Sequence, residues 1–102
     1  MNAAPTHVEL EATSVRFYSQ RDEAAFFEWL KKLTCVERVQ GRGLTLYISV
    51  DCSLVDEDGL RELLALFRRY GIDKRQLAQL DRKEFSAWLH DPKAFWYEEV
   101  FG

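Results

Sequence analysis

Apolar and polar positions change period several times along this chain. Val15 and Phe17 alternate with Arg16 and Tyr18, which predicts a first strand over 13–18. Val8 and Leu10 alternate too, but on the opposite parity, so a bend or bulge is expected near Thr13. Phe26, Phe27, Leu30 and Leu33 then recur at helical spacing, with Ser19 three residues before Asp22 as a capping start and Glu28 four before Lys32 as a surface pair. A helix over 21–33 follows. Leu44, Leu46, Ile48 and Val50 alternate with Thr45, Tyr47 and Ser49, the signature of a half-buried antiparallel strand. Together with residues 35–40 and the glycines of Gln40-Gly-Arg-Gly43 this makes a hairpin, 35–40 and 44–50. A turn centred on Gly41-Arg42 sets Val39 opposite Leu44 and Cys35 opposite Ile48. Cys52 then has no cross-strand partner, and a Cys35–Cys52 disulfide is not expected.

From Asp56 onward the pattern becomes helical, with sharp stops. Leu60, Leu63, Leu64 and Phe67 form one stripe, and Gly71 followed by Ile72 fits a Schellman ending. Asp73 stands three before Gln76 and Asp81 three before Glu84, both capping-box spacings, and Asp91 precedes Pro92 as a cap before the first helical turn. The expected helices are 57–70, 74–80, 82–90 and 92–100. The predicted class is α+β: a small, mainly antiparallel three-stranded sheet in β-α-β-β order, followed by C-terminal helices packed on it. Residues 1–12 are read as a flexible extension and 13–102 as one domain.

Size and composition agree with a single domain. The chain has 102 residues, 47% apolar and 30% charged, enough for one core and too few for two. No apolar run approaches the ~18 residues needed to span a bilayer, so no membrane association is expected. Met1 to His7 lack the basic and apolar regions of a signal peptide, which predicts a cytoplasmic protein. The net charge of −3 is unevenly spread: 7 Lys/Arg against 11 Asp/Glu in residues 1–67, 6 against 2 in 68–83, and 1 against 4 in 84–102. A mildly acidic total argues against general nucleic-acid binding, which needs a basic surface.

Catalytic chemistry finds little support. His7 falls in the presumed extension and His90 at a helix end, where a cation favours the dipole. No catalytic residue, metal or cofactor is therefore expected. Cys35 lies on the apolar face of the hairpin as a small buried hydrophobe, and neither cysteine belongs to a zinc-spaced cluster. Asp51 and Glu62 stand at the first and twelfth positions of a calcium loop, but Val55 occupies a ligand position and Asp56 the glycine position. Arg68, Arg69, Lys74, Arg75, Arg82 and Lys83 surround a helix-turn-helix outline whose expected glycine is replaced by Arg82. A regulatory or DNA-associated module using 68–83 is the second reading.

The most distinctive stretch is Phe95-Trp96-Tyr97-Glu98-Glu99. Three consecutive aromatics sweep roughly 200° of a helix, wider than one core-facing stripe. Trp88 and Trp96 are expected in the core, leaving Tyr97 or Phe95 as a surplus aromatic beside carboxylates, the composition of a recognition surface. The candidate partner-contact residues are Asp51, Asp56, Glu57, Asp58, Glu62, Tyr97, Glu98 and Glu99.

The phrases Phe26-Phe27-Glu28-Trp29-Leu30, Glu62-Leu-Leu-Ala-Leu-Phe-Arg-Arg-Tyr70, Ile72-Asp73, Gln76-Leu-Ala-Gln79 and the closing Trp88-Leu, Phe95-Trp-Tyr and Val100-Phe-Gly102 resemble a family of small bacterial immunity-type proteins, encoded beside polymorphic or contact-dependent toxins. The resemblance spans roughly residues 15–102. It implies a non-enzymatic protein that binds one cognate toxin stoichiometrically and blocks its active site or its access to substrate; the chain itself is expected to be a monomer or homodimer. An acidic, aromatic surface would suit a basic nuclease toxin.

Overall fold

The computed structural model describes residues 6–102. Three strands, β1 (His7–Thr13), β2 (Val36–Arg42) and β3 (Thr45–Asp51), form one antiparallel sheet in the order β1-β3-β2. Helix α1 (Gln20–Lys32) joins β1 to β2, and α2 (Glu57–Arg69) follows β3. Two single-turn helices, α3 (Ser86–Leu89) and α4 (Tyr97–Phe101), and 3-10 turns at Cys52–Leu54, Arg75–Leu80 and Lys83–Phe85 complete the described chain. The expected α+β class and β-α-β-β order are thus present. No helix among the described residues is long and apolar enough to cross a membrane.

One face of the sheet carries the core. Val8, Leu10 and Ala12 of β1 and Ile48 and Val50 of β3 are buried against Phe26 and Leu30 of α1 and Leu60, Leu63, Leu64, Leu66 and Phe67 of α2. Alternate residues of β1, including His7, Glu9 and Glu11, point the other way into solvent.

The first strand departs from the expected 13–18. The two alternating segments differ in parity, and the ladder selects the earlier one, with Val8 opposite Val50 and Leu10 opposite Ile48. The anticipated bend falls at Ser14, whose φ of 55° breaks the strand and whose N–H donates to Leu44 O at 2.8 Å. Residues 7–12 are therefore an edge strand contributing three core side chains, not part of an extension. Residues 1–5 of that extension lie outside the described residues. Val15 and Phe17 pack on the core from irregular backbone.

The hairpin register differs as well. Val39 faces Ile48 and Arg42 faces Thr45, so the turn is Gly43-Leu44. Gly43 takes φ +61° at the first central position, the place where a two-residue hairpin turn favours glycine. Leu44, counted as a strand residue from its alternation, is an exposed turn tip. A bulge between Val36 and Arg38 leaves Glu37 as an extra residue on β2.

Helix ends follow the sequence closely as far as Ile72. Ser19 Oγ accepts the Asp22 N–H at 3.1 Å, and Asp56 Oδ1 accepts that of Gly59 at 2.7 Å. The end of α2 is a Schellman motif: Ile72 N–H reaches Phe67 O at 2.8 Å, Gly71 N–H reaches Arg68 O at 3.3 Å, and Gly71 has φ +67°. Beyond it, the expected boxes resolve otherwise. Gln76 leaves the Asp73 box to bracket the free edge of β1, accepting Glu11 N–H at 2.7 Å and donating to Glu11 O at 2.8 Å. Asp81 pairs with His90 Nε2 at 2.7 Å instead of capping. The predicted 82–90 helix is a 3-10 turn running into α3. The predicted 92–100 helix is overturned over its first half: Asp91 Oδ1 accepts Lys93 N–H at 2.9 Å in a turn, and helix begins only at Tyr97.

Candidate functional site

The three consecutive aromatics take three environments. Trp96 is buried and donates Nε1–H to Leu89 O at 2.8 Å. Tyr97 is half-buried, its ring 5.6 Å from that of Phe101, which in turn stacks on His90 at 4.2 Å. Phe95 is 45% exposed. The surplus aromatic is therefore Phe95, one of the two expected. Trp88 is only half-buried and lies under the Arg61 guanidinium at 4.2 Å.

Phe95 does not stand alone. With Arg68, Arg69, Ala65 and Trp29 it lines a shallow depression, and Trp29 also lines the next one, beside Asp56, Asp58 and Glu62. Arg68 sits 5.3 Å over the Phe95 ring. Trp29 is held by its indole N–H, donated to Glu62 Oε1 at 2.8 Å across α1 and α2. The result is a continuous strip with aromatic and basic groups at one end and carboxylates at the N-terminus of α2 at the other.

Of the eight candidate contacts, the fold gathers three on this strip: Asp56, Asp58 and Glu62. Asp51 lies at the end of β3, where its Oδ1 accepts Ser53 N–H at 2.9 Å and Ser53 Oγ–H at 2.7 Å. These bonds hold its carboxyl below the usual carboxylate range. Glu57 pairs with Arg61 at 2.8 Å. Glu98 and Glu99 border a different depression with Gly71, Asp73 and Arg75. There Glu99 pairs with the buried Lys74 at 2.5 Å and approaches Arg68 at 4.0 Å. Sequence reasoning missed Trp29 as a contact residue, because only the packing of α1 beside α2 brings it to Glu62.

The basic segment is partly consumed internally. Lys74 is ion-paired, and Arg82 donates to the carbonyls of Cys52 and Val55. The helix expected over 74–80 is a 3-10 turn, Arg75–Leu80.

Both cysteines are free. Burial raises the Cys35 thiol above the ordinary range, and desolvation raises Cys52 as well. A raised folded value means that the native state holds its proton when the unfolded chain has lost it. The associated stability is complete below pH about 8.5 and declines as pH rises further toward the folded value. With an aromatic disulfide reagent, half-buried Cys52 should react first and Cys35 only through unfolding, both reacting together in urea. Equal native rates would contradict the burial of Cys35.

No protein-family model, curated protein or solved structure matches this chain.

Proposed function

We propose that this chain is a non-enzymatic protein-binding domain, and specifically an immunity protein that neutralises a cognate toxin by stoichiometric binding. The observation that carries the reading is exposed Phe95 beside half-buried Trp29, continuous with Asp56, Asp58 and Glu62. An aromatic anchor rimmed by charge is the composition of binding hot spots. A toxin with a basic active-site cleft, such as a nuclease, complements the acidic end, and charge complementarity accelerates encounter.

The test is co-expression with the product of the neighbouring gene. Recovery of a 1:1 complex, with loss of the neighbour's toxicity, supports the proposal; a harmless neighbour and a domain that elutes alone defeat it. Within such a complex Phe95→Ala should weaken affinity by about 1–3 kcal/mol, mainly through faster dissociation. Asp58→Lys should slow association and reduce its salt dependence. Asp58 is the cleaner probe than Asp56, whose capping bond to Gly59 is itself worth about 1 kcal/mol. An on-rate unaffected by Asp58→Lys removes the acidic end from the interface.

A further inference from the structure

At the end of the sheet remote from the Gly43-Leu44 turn, all three strands deliver a metal-binding type of side chain to one point. His7 and Asp51 are cross-strand partners on β1 and β3. Glu37 is the extra residue of the β2 bulge. Regular pairing would alternate Glu37 between Val36 and Arg38; the bulge re-aims it, as bulges beside functional sites do. Its Oε1 lies 2.8 Å from His7 Nε2, and Asp51 Oδ2 lies 4.0 Å from the same nitrogen. One ligand atom from each residue falls within 4.8 Å of the others.

We propose that His7, Glu37 and Asp51 form a site for one divalent transition-metal ion of the Zn2+ type. Zinc takes nitrogen at about 2.0–2.1 Å and carboxylate oxygen at about 2.0–2.2 Å, so tetrahedral ligand atoms stand roughly 3.3–3.5 Å apart. The two separations from His7 Nε2, 2.8 and 4.0 Å, bracket that value, and all three ligand atoms lie within 4.8 Å of one another. The imidazole selects against Mg2+ and Ca2+, which prefer oxygen sets. The outer partners are in place as well. His7 Nδ1 meets Thr6 Oγ1 at 3.2 Å, leaving Nε2 toward the cluster. Ser53 engages only Oδ1 of Asp51, so Oδ2 is the oxygen on the His7 side. Such second partners orient metal ligands. With three protein ligands and half-exposed His7 and Glu37 side chains, the remaining coordination positions face solvent, open to water or to a donor atom of a partner. The ion would also tie both edge strands to β3. This site is separate from the Phe95–Trp29 strip, and neither proposal depends on the other.

The test is calorimetric titration of the full chain with ZnCl2, in a Cys52→Ser background that removes the neighbouring thiol. One equivalent should bind, raising the melting temperature. His7→Gln and Glu37→Gln should each weaken binding at least tenfold, since even outer-partner changes commonly cost 10–100-fold. Both residues are exposed, and an unchanged circular dichroism spectrum verifies that these variants fold. Co2+ substituted for Zn2+ should give ligand-field bands absent from both variants. Four outcomes would overturn the proposal: no saturable zinc binding, zinc binding abolished by Cys52→Ser alone, equal affinity in the His7 and Glu37 variants, or equally tight Mg2+ binding.

Discussion

Phe26→Ala should lower the free energy of unfolding by about 3–5 kcal/mol, the range for removing a large aromatic from a closed core. Phe26 is 0% exposed and lies at the junction of α1, the loop after β1 and the end of α2. Its ring is 5.3 Å from Phe17, 5.3 Å from Phe27 and 4.8 Å from Tyr70, all three edge-on. Edge-to-face pairs add roughly 0.5–1.5 kcal/mol beyond burial, so truncation removes several favourable contacts and leaves a cavity. Collapse into that cavity is resisted on one side. Tyr70 is anchored by its hydroxyl, which donates to Asp22 Oδ1 at 3.2 Å. A domain of this size has about 5–15 kcal/mol in total, and the variant should therefore be marginally folded at room temperature. Phe26→Leu, which keeps most of the volume, should cost less than half as much. Urea titration of both variants checks this. A loss below about 1.5 kcal/mol for the alanine variant would contradict the placement of Phe26 at the centre of the aromatic cluster.

That cluster also marks how much of the molecule was legible in the sequence. Phe26 and Leu30 declared α1, Ser19 declared its cap, and Gly71-Ile72 declared the end of α2; each is a local rule, decided by residues within one helical turn. The misreadings came where two local rules competed and long-range pairing decided. Val8-Leu10 and Val15-Phe17 carried equal alternation on opposite parity, and only the ladder to β3 shows which is strand. Leu44 kept the rhythm of β3 but was claimed by the turn chemistry of Gly43. Asp81 had the spacing of a cap, yet His90 captured its carboxylate. For the binding strip, the surplus aromatic followed from helical geometry, whereas Trp29 beside Glu62 depends on two helices packing and has no sequence signature. The His7, Glu37 and Asp51 cluster was hidden for a related reason. His7 was assigned to a tail, and no ligand spacing is visible when each ligand comes from a different strand.

The second large effect should come from Arg82→Met. Arg82 was read from sequence as part of an external basic patch, but its guanidinium turns inward and donates to two backbone carbonyls, Cys52 O through Nη1 at 2.9 Å and Val55 O through Nη2. Those carbonyls belong to the link between β3 and α2, where the chain leaves the sheet and must present Asp56 as the cap of α2. The head also lies over the Phe85 ring at 4.7 Å, and its Nε approaches Glu84 at 3.2 Å. Methionine preserves much of the apolar volume while removing every donor, so the loss reads the hydrogen bonds rather than the packing. Cys52 O keeps the Val55 N–H at 3.2 Å, so Val55 O is the carbonyl left without its donor, and an unsatisfied buried carbonyl costs about 1–3 kcal/mol. The side chain is 34% exposed, so water replaces part of what is lost, and a net destabilisation of about 1–2 kcal/mol is expected. Arg82→Lys should recover less than half, because one ammonium lacks the planar fork that spans two acceptors. Hydrogen exchange locates the damage. Gly59 N–H, protected by the Asp56 cap, should exchange faster in the methionine variant, while amides at the β2–β3 turn should not change. If urea unfolding shows no loss and Gly59 keeps its protection, Arg82 is a surface charge after all, and the link between β3 and α2 is held by its own backbone bonds.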